Sequence, residues 1–186
     1  MNKLNEILMH NQSFVETKKY EEFKTTKYPG KKMVIFSCMD TRLIELLPHA
    51  LNLKNGDAKI IKNAGGVIMH PFGSVMRSIL IAIYELQAEE IFVIGHHGCG
   101  MSSLNTDKTI EKMIDKGIST DTMSTLEYAG IDLKKWLHGF DCVNDSVRES
   151  VLTIKNHPLI PKSVSVHGLI IDPETGQLEV VVDGYK

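Results

Sequence analysis

Met33-Val34-Ile35-Phe36-Ser37-Cys38-Met39-Asp40-Thr41-Arg42 is the stretch from which the fold can be read. Its first four residues are apolar, β-rich and without polar alternation, the pattern of a short strand buried on both faces. A segment bearing metal-ligand chemistry follows at once. The same order recurs where Ile91-Phe92-Val93-Ile94 runs into Gly95-His96-His97-Gly98-Cys99-Gly100. Sites in mainly parallel sheets gather beyond the C-terminal ends of strands, where the strand order reverses. Two buried strands that each deliver soft ligands at that end therefore imply one sheet and one shared site.

The segments around these strands support an α/β fold. Ala58 to Lys62 reads as a further short strand, closed by Asn63-Ala64-Gly65-Gly66. Ser74 to Gln87 carries Val75, Ile79, Ala82, Ile83 and Leu86 at helical spacing, with Ser74 placed to cap the N-terminus. Arg42 to Leu53 reads as helical turns broken near Pro48, residues 104–137 as a mixed helical region, and 145–156 as a helix ending before His157-Pro158. Val164 to Ile171 and Leu178 to Val182 read as strands joined by the turn Asp172-Pro173-Glu174-Thr175-Gly176, and so as a hairpin. Short apolar strands alternating with helices predict a mainly parallel sheet with helices on both faces. Residues 1–27 form a helical arm whose apolar residues, Leu4, Ile7, Leu8, Phe14 and Val15, are thin cover for packing on their own core. The arm suits a partner subunit or the domain's own surface.

The 186 residues fit one domain, 1–186, with a full core. A net charge of -2 gives no support for nucleic-acid binding. Met1 to Val15 lacks the apolar centre of a signal peptide, and no apolar run approaches the roughly 18 residues of a membrane span. The expected location is the cytoplasm, with no membrane partner. Three cysteines form an odd set, which argues against a disulfide framework. Cys142, with no ligand-type neighbour, reads as a structural thiol of the usual buried kind.

Cys38, His96 and Cys99 are three soft ligands, the count of a zinc site that keeps its fourth position open. Two thiolates and a neutral imidazole cancel the charge of Zn²⁺. The His-x-x-Cys spacing favours His96 over the adjacent His97, which reads first as a hydrogen-bonded loop histidine and otherwise as a supporting or proton-transfer group. Asp40, beside Arg42, would stay ionised and could orient a hydroxide at the metal; unpaired, it could become a fourth ligand. Three residues between Cys38 and Arg42, none of them glycine, fit a cysteine-phosphatase loop poorly, and three cysteines are too few for a typical iron–sulfur site. A closed structural zinc site with Asp40 as fourth ligand stays open.

These residues resemble the β-class carbonic anhydrases, in the compact prokaryotic, plant-type branch. That family pairs Cys-x-Asp-x-Arg with His-x-x-Cys, matched by Cys38-Met39-Asp40-Thr41-Arg42 and His96-His97-Gly98-Cys99. Lys62-Asn63-Ala64-Gly65 and Val166-His167-Gly168-Leu169-Ile170-Ile171-Asp172 extend the resemblance over most of the chain from about residue 30. It implies one Zn²⁺ per chain on Cys38, His96 and Cys99, with Asp40 and Arg42 as the catalytic pair. It further implies a four-stranded parallel sheet with a fifth edge strand, and a homodimer or multiple of dimers with the N-terminal arm on the partner and the active site near the interface. The implied activity is reversible hydration of CO2 to bicarbonate and a proton, with hydrolysis of carbonyl sulfide or carbon disulfide as the alternative on the same fold. A non-catalytic zinc domain is the other alternative. Val67, Ile68 and Phe72 are candidate walls for the small apolar substrate, although each taken singly reads first as a core-packing residue. Thr41 departs mildly from the family pattern, Gly98 departs more, standing where relatives often have a polar residue such as Asp, and the Trp-Arg-Tyr set of a regulatory bicarbonate pocket has no clear counterpart.

Overall fold

The computed structural model describes residues 2–186. Five strands, β1 (Met33–Cys38), β2 (Ala58–Asn63), β3 (Glu90–His96), β4 (Ser165–Ile171) and β5 (Leu178–Val182), form one sheet in the order β2-β1-β3-β4-β5. The first four run parallel, and β5 pairs antiparallel with β4. The chain moves outward from β1 to β2, then returns to place β3 on the other side of β1. The order thus reverses between β1 and β3, the two strands that carry the ligand segments.

The helices are α1 (Lys3–Glu16), α2 (Leu46–Ala50), α3 (Ser74–Tyr84), α4 (Thr106–Asp115), α5 (Thr120–Tyr128), α6 (Leu133–Leu137) and α7 (Val143–Lys155). Strand residues alternate between the two faces. Val34, Phe36, Ile91, Val93, Val166 and Ile170 meet Met76 and Ile79 of α3 and Val147, Val151 and Ile154 of α7. Ile35, Ile94 and Ile171 face the other way, against Leu43 and Leu47. Helices cover both faces, as the sequence implied, but unequally. Two long helices cover one face; short α2 and a 3-10 turn at Thr41–Leu43 help close the other. Gly95 and Gly168 let α7 approach closely, since a Cβ on either would lie 2.8 Å from a valine methyl of that helix.

Three sequence expectations need correction. Helix α3 ends at Tyr84 rather than Gln87, because Gln87 takes a left-handed conformation (φ 61) that lets the Ala88 amide reach back to the Ala82 carbonyl. Its N-cap is Gly73, and Ser74 lies inside the first turn, where its carbonyl accepts from the Ser78 hydroxyl. Cys142 is exposed, not buried, at the N-cap of α7. The hairpin turn is built as its residues suggest: the Asp172 carboxylate accepts from the amides of Glu174 (2.7 Å) and Thr175 (3.1 Å). Helix α1 buries none of its residues, and among the described residues no helix is long and apolar enough to cross a membrane.

Candidate metal centre

Each ligand is placed by a different piece of backbone. Cys38 is the last residue of β1, and the ladder continues one step further, with the Met39 amide bonded to the Asn63 carbonyl (2.9 Å). Gly66 passes directly beneath it. A Cβ there would stand 3.0 Å from the Cys38 amide nitrogen, and its φ of 64 suits glycine. His96 ends β3, while Cys99 follows in a loop where Gly98 takes φ 60.

The three side chains converge. Their ligand atoms all lie within 4.8 Å of one another, with the two sulfurs 3.9 Å apart. All three residues are buried, His96 almost completely at 1% exposure. The His96 Nδ1 lies 2.9 Å from the His97 carbonyl oxygen. A carbonyl can only accept, so Nδ1 carries the proton and Nε2 presents its lone pair. That Nε2 is buried and has no hydrogen-bond partner of its own, a costly arrangement unless an electrophile meets it. The donor set and the orphaned nitrogen together fit a soft, tetrahedral divalent ion such as zinc.

The two thiols differ. Burial pushes Cys38 up, but interaction with the His96 ring and the amides of Asp40 and Gly65 outweighs it and brings the thiol down to about 7. Cys99 is raised, first by burial and then by the neighbouring sulfur and Asp40 charges, which outweigh a lowering bond from the Met101 amide. The His96 imidazole is raised by the nearby Cys38 sulfur against the cost of burial.

Asp40 and Arg42 stand at the rim as a bidentate pair. Arg42 donates from Nε to Oδ1 (3.0 Å) and from a terminal nitrogen to Oδ2 (2.8 Å), while its backbone amide also bonds Oδ1 (2.9 Å). The same terminal nitrogen reaches the Gly98 carbonyl at 3.1 Å, so one guanidinium joins both ligand segments. This pairing holds the Asp40 carboxyl well below the usual carboxylate range. Its Oδ2 lies 3.7 Å from His96 Nε2, beside the cluster and accounted for by Arg42.

A cleft of about 290 Å³ opens onto the centre, lined by residues that include Met39, Ala64, Gly65 and Met101. The wall residues expected from sequence are elsewhere. Val67 and Ile68 line a separate hollow beside α3, and Phe72 is 67% exposed near the start of that helix. Met101, one of the residues that line this cleft, sits against Gly65, where a Cβ would come within 3.1 Å of its side chain. Nothing in the local sequence marks Met101, because its position follows from the meeting of two loops. The ring of His97 turns away to Glu179 (3.3 Å), and only its carbonyl serves the centre.

A parallel sheet with a buried Cys-His-Cys triad at its switch point defines a class of metalloenzyme fold, and the comparisons name the family. The carbonic anhydrase family profile matches residues 33–178. The chain is 62% identical over 183 residues to the Bacillus subtilis (strain 168) protein YvdA, itself named only provisionally as a carbonic anhydrase, covering 98% of this chain and 93% of that one. It is 34% identical over 157 residues to a carbon disulfide hydrolase of Acidithiobacillus thiooxidans, covering 80% and 76%. The crystal structure of β-carbonic anhydrase isoform I from Trichomonas vaginalis superposes with a TM-score of 0.90 at 36% identity, covering 100% of both chains. The chain belongs to the carbonic anhydrase family, in its β class.

Proposed function

We propose that this protein hydrates CO2 reversibly to bicarbonate and a proton, using one zinc ion held by Cys38, His96 and Cys99. The observation that carries the reading is the unpartnered, buried Nε2 of His96 facing two thiols next to an Arg42-held carboxylate, in a chain of this family. Zinc bound there would act as a Lewis acid and make a nucleophile of water near neutral pH. The residues supply the rest. Asp40, ionised and fixed on two oxygens by Arg42, accepts a hydrogen bond and orients the attacking oxygen toward the cleft. Because Arg42 occupies both carboxylate oxygens, Asp40 is held off the fourth ligand position, which favours an open centre over a closed structural one. Met39, Ala64 and Met101 give the cleft the apolar wall that a small linear molecule needs. The test is CO2 hydration by the zinc-loaded protein from mildly acid to mildly alkaline pH. Turnover is expected throughout, and its absence would remove the reading.

The second reading changes only the substrate. A relative named as a carbon disulfide hydrolase shares the family, and a thioether-lined cleft suits polarisable sulfur. Turnover of carbon disulfide and carbonyl sulfide, measured beside CO2 on one preparation, separates the two.

We further infer one domain, 1–186, working in the cytoplasm as a homodimer or multiple of dimers. Support for the assembly comes from α1, whose Leu4, Ile7 and Leu8 are exposed and whose contacts are chiefly with the 3-10 turn at Lys19–Phe23. Support for the compartment comes from three unpaired cysteines, two of them in the metal cluster.

A further inference from the structure

Lys62 lies on β2 opposite Ser37, one step before the pair Cys38–Asn63. Its ammonium is partly buried and donates to the Leu43 carbonyl at 3.2 Å. Leu43 closes the 3-10 turn Thr41–Leu43, which starts at Asp40, and its side chain is fully buried. A turn this short leaves its last carbonyls without partners along the chain. Lys62 supplies one from the strand on the far side of β1.

We propose that Lys62 is a positioning residue for Asp40 and Arg42, tying the turn that presents them to the sheet beneath the metal centre; this rests on the reading of that centre as CO2-hydrating. Three further facts favour the role. Burial lowers the Lys62 ammonium, yet the nearby Cys38 and Asp40 charges favour its charged form, so the cation sits where the site's negative charge collects. Arg42 fixes Asp40 only within the turn, apart from its reach to Gly98, so the position of the turn itself needs an anchor to the strands. Leu43 gives an apolar anchor, and Lys62 gives the directional one. Lys59, three residues earlier on the same strand, makes the same kind of bond outward, to the Lys27 carbonyl, and so provides a control.

The experiment compares Lys62→Met, Lys62→Arg and Lys59→Met, each loaded with zinc for kinetics and with cobalt for visible spectra, which report the ligand set and its geometry. Lys62→Met is expected to keep a full equivalent of metal, to lose about tenfold or more in kcat with KM near the wild-type value, and to shift the cobalt bands. Lys62→Arg restores most of the rate and the bands, and Lys59→Met changes neither. A lower melting temperature in Lys62→Met with unchanged kcat and unchanged bands would make Lys62 a structural lysine and overturn the proposal. If Lys62→Met fails to fold, Lys62→Gln, which keeps a shorter donor without the charge, carries the same comparison. If the wild-type protein does not hydrate CO2, the functional reading falls, and the cobalt spectra still decide the role of Lys62.

Discussion

The switch point between β1 and β3 and the N-terminal arm lie at opposite extremes of one molecule. At the switch point Asp40 and Arg42 are paired, the backbone passes within van der Waals contact, and the unpartnered buried atoms are a ligand nitrogen, His96 Nε2, and the hydroxyl of Ser37, the residue before Cys38. Along α1 no residue is buried, and apolar side chains face outward. The first region is determined by contacts within the chain. The second lacks the contacts that would hold it, which is the condition of a segment completed by another surface. On the proposed assembly, the ligand cluster is built within one chain and α1 is the part left to a partner, so the separation of the two is open to test.

Substitutions can break or sharpen that separation. The largest effect is expected from Cys38→Ser. Removing a thiolate ligand should weaken zinc at least as much as the roughly 10–100-fold that loss of a supporting partner costs, read by chelator competition, while the proposed assembly through α1 stays intact. Asp40→Ala comes next: zinc content unchanged and kcat down about a hundredfold, measured by stopped-flow hydration. Near-full activity would remove Asp40 from the mechanism. Gly66→Ala tests the packing beneath Cys38, where both the positive φ and the close amide oppose a methyl group. A loss of about 2 kcal/mol in denaturant unfolding is expected.

Acidity is expected to act on the switch point through Cys38. Cys38 titrates at about 7 in the metal-free protein, and metal binds the deprotonated thiol. Affinity is therefore level with respect to this group above that pH. Below it, affinity falls about tenfold per unit for this one proton, with the second thiol adding to the slope at higher pH. The smallest effect on the centre is expected from Leu8→Asp on α1. Sedimentation should show a weakened assembly, and per-chain zinc content should not change. A parallel loss of zinc would show that the two regions are coupled.

Much of this was legible from residue order. The two apolar runs located β1 and β3, and the His-x-x-Cys spacing picked His96, whose ring does turn to the sulfurs while that of His97 turns to Glu179. Boundaries were less legible. Ser74 resembles a cap, but the chain had already turned at Gly73. Cys142 is apolar enough to suggest burial, yet it falls at a helix start on the surface. The cleft wall was misplaced for the same reason: Phe72, Val67 and Ile68 are apolar near the site in sequence, and Met101 is near it in space.

By itself the sequence determined the strand periodicity, the ligand types and the neighbour relation of Asp40 to Arg42, because each depends on residues a few positions apart. Only the tertiary structure decided which strands are neighbours, that Arg42 also holds Gly98, that Met101 walls the cleft and that Lys62 ties the Asp40 turn to β2. Those are contacts between distant segments. Their identity depends on how close-packed layers meet, and no local pattern of side chains records it.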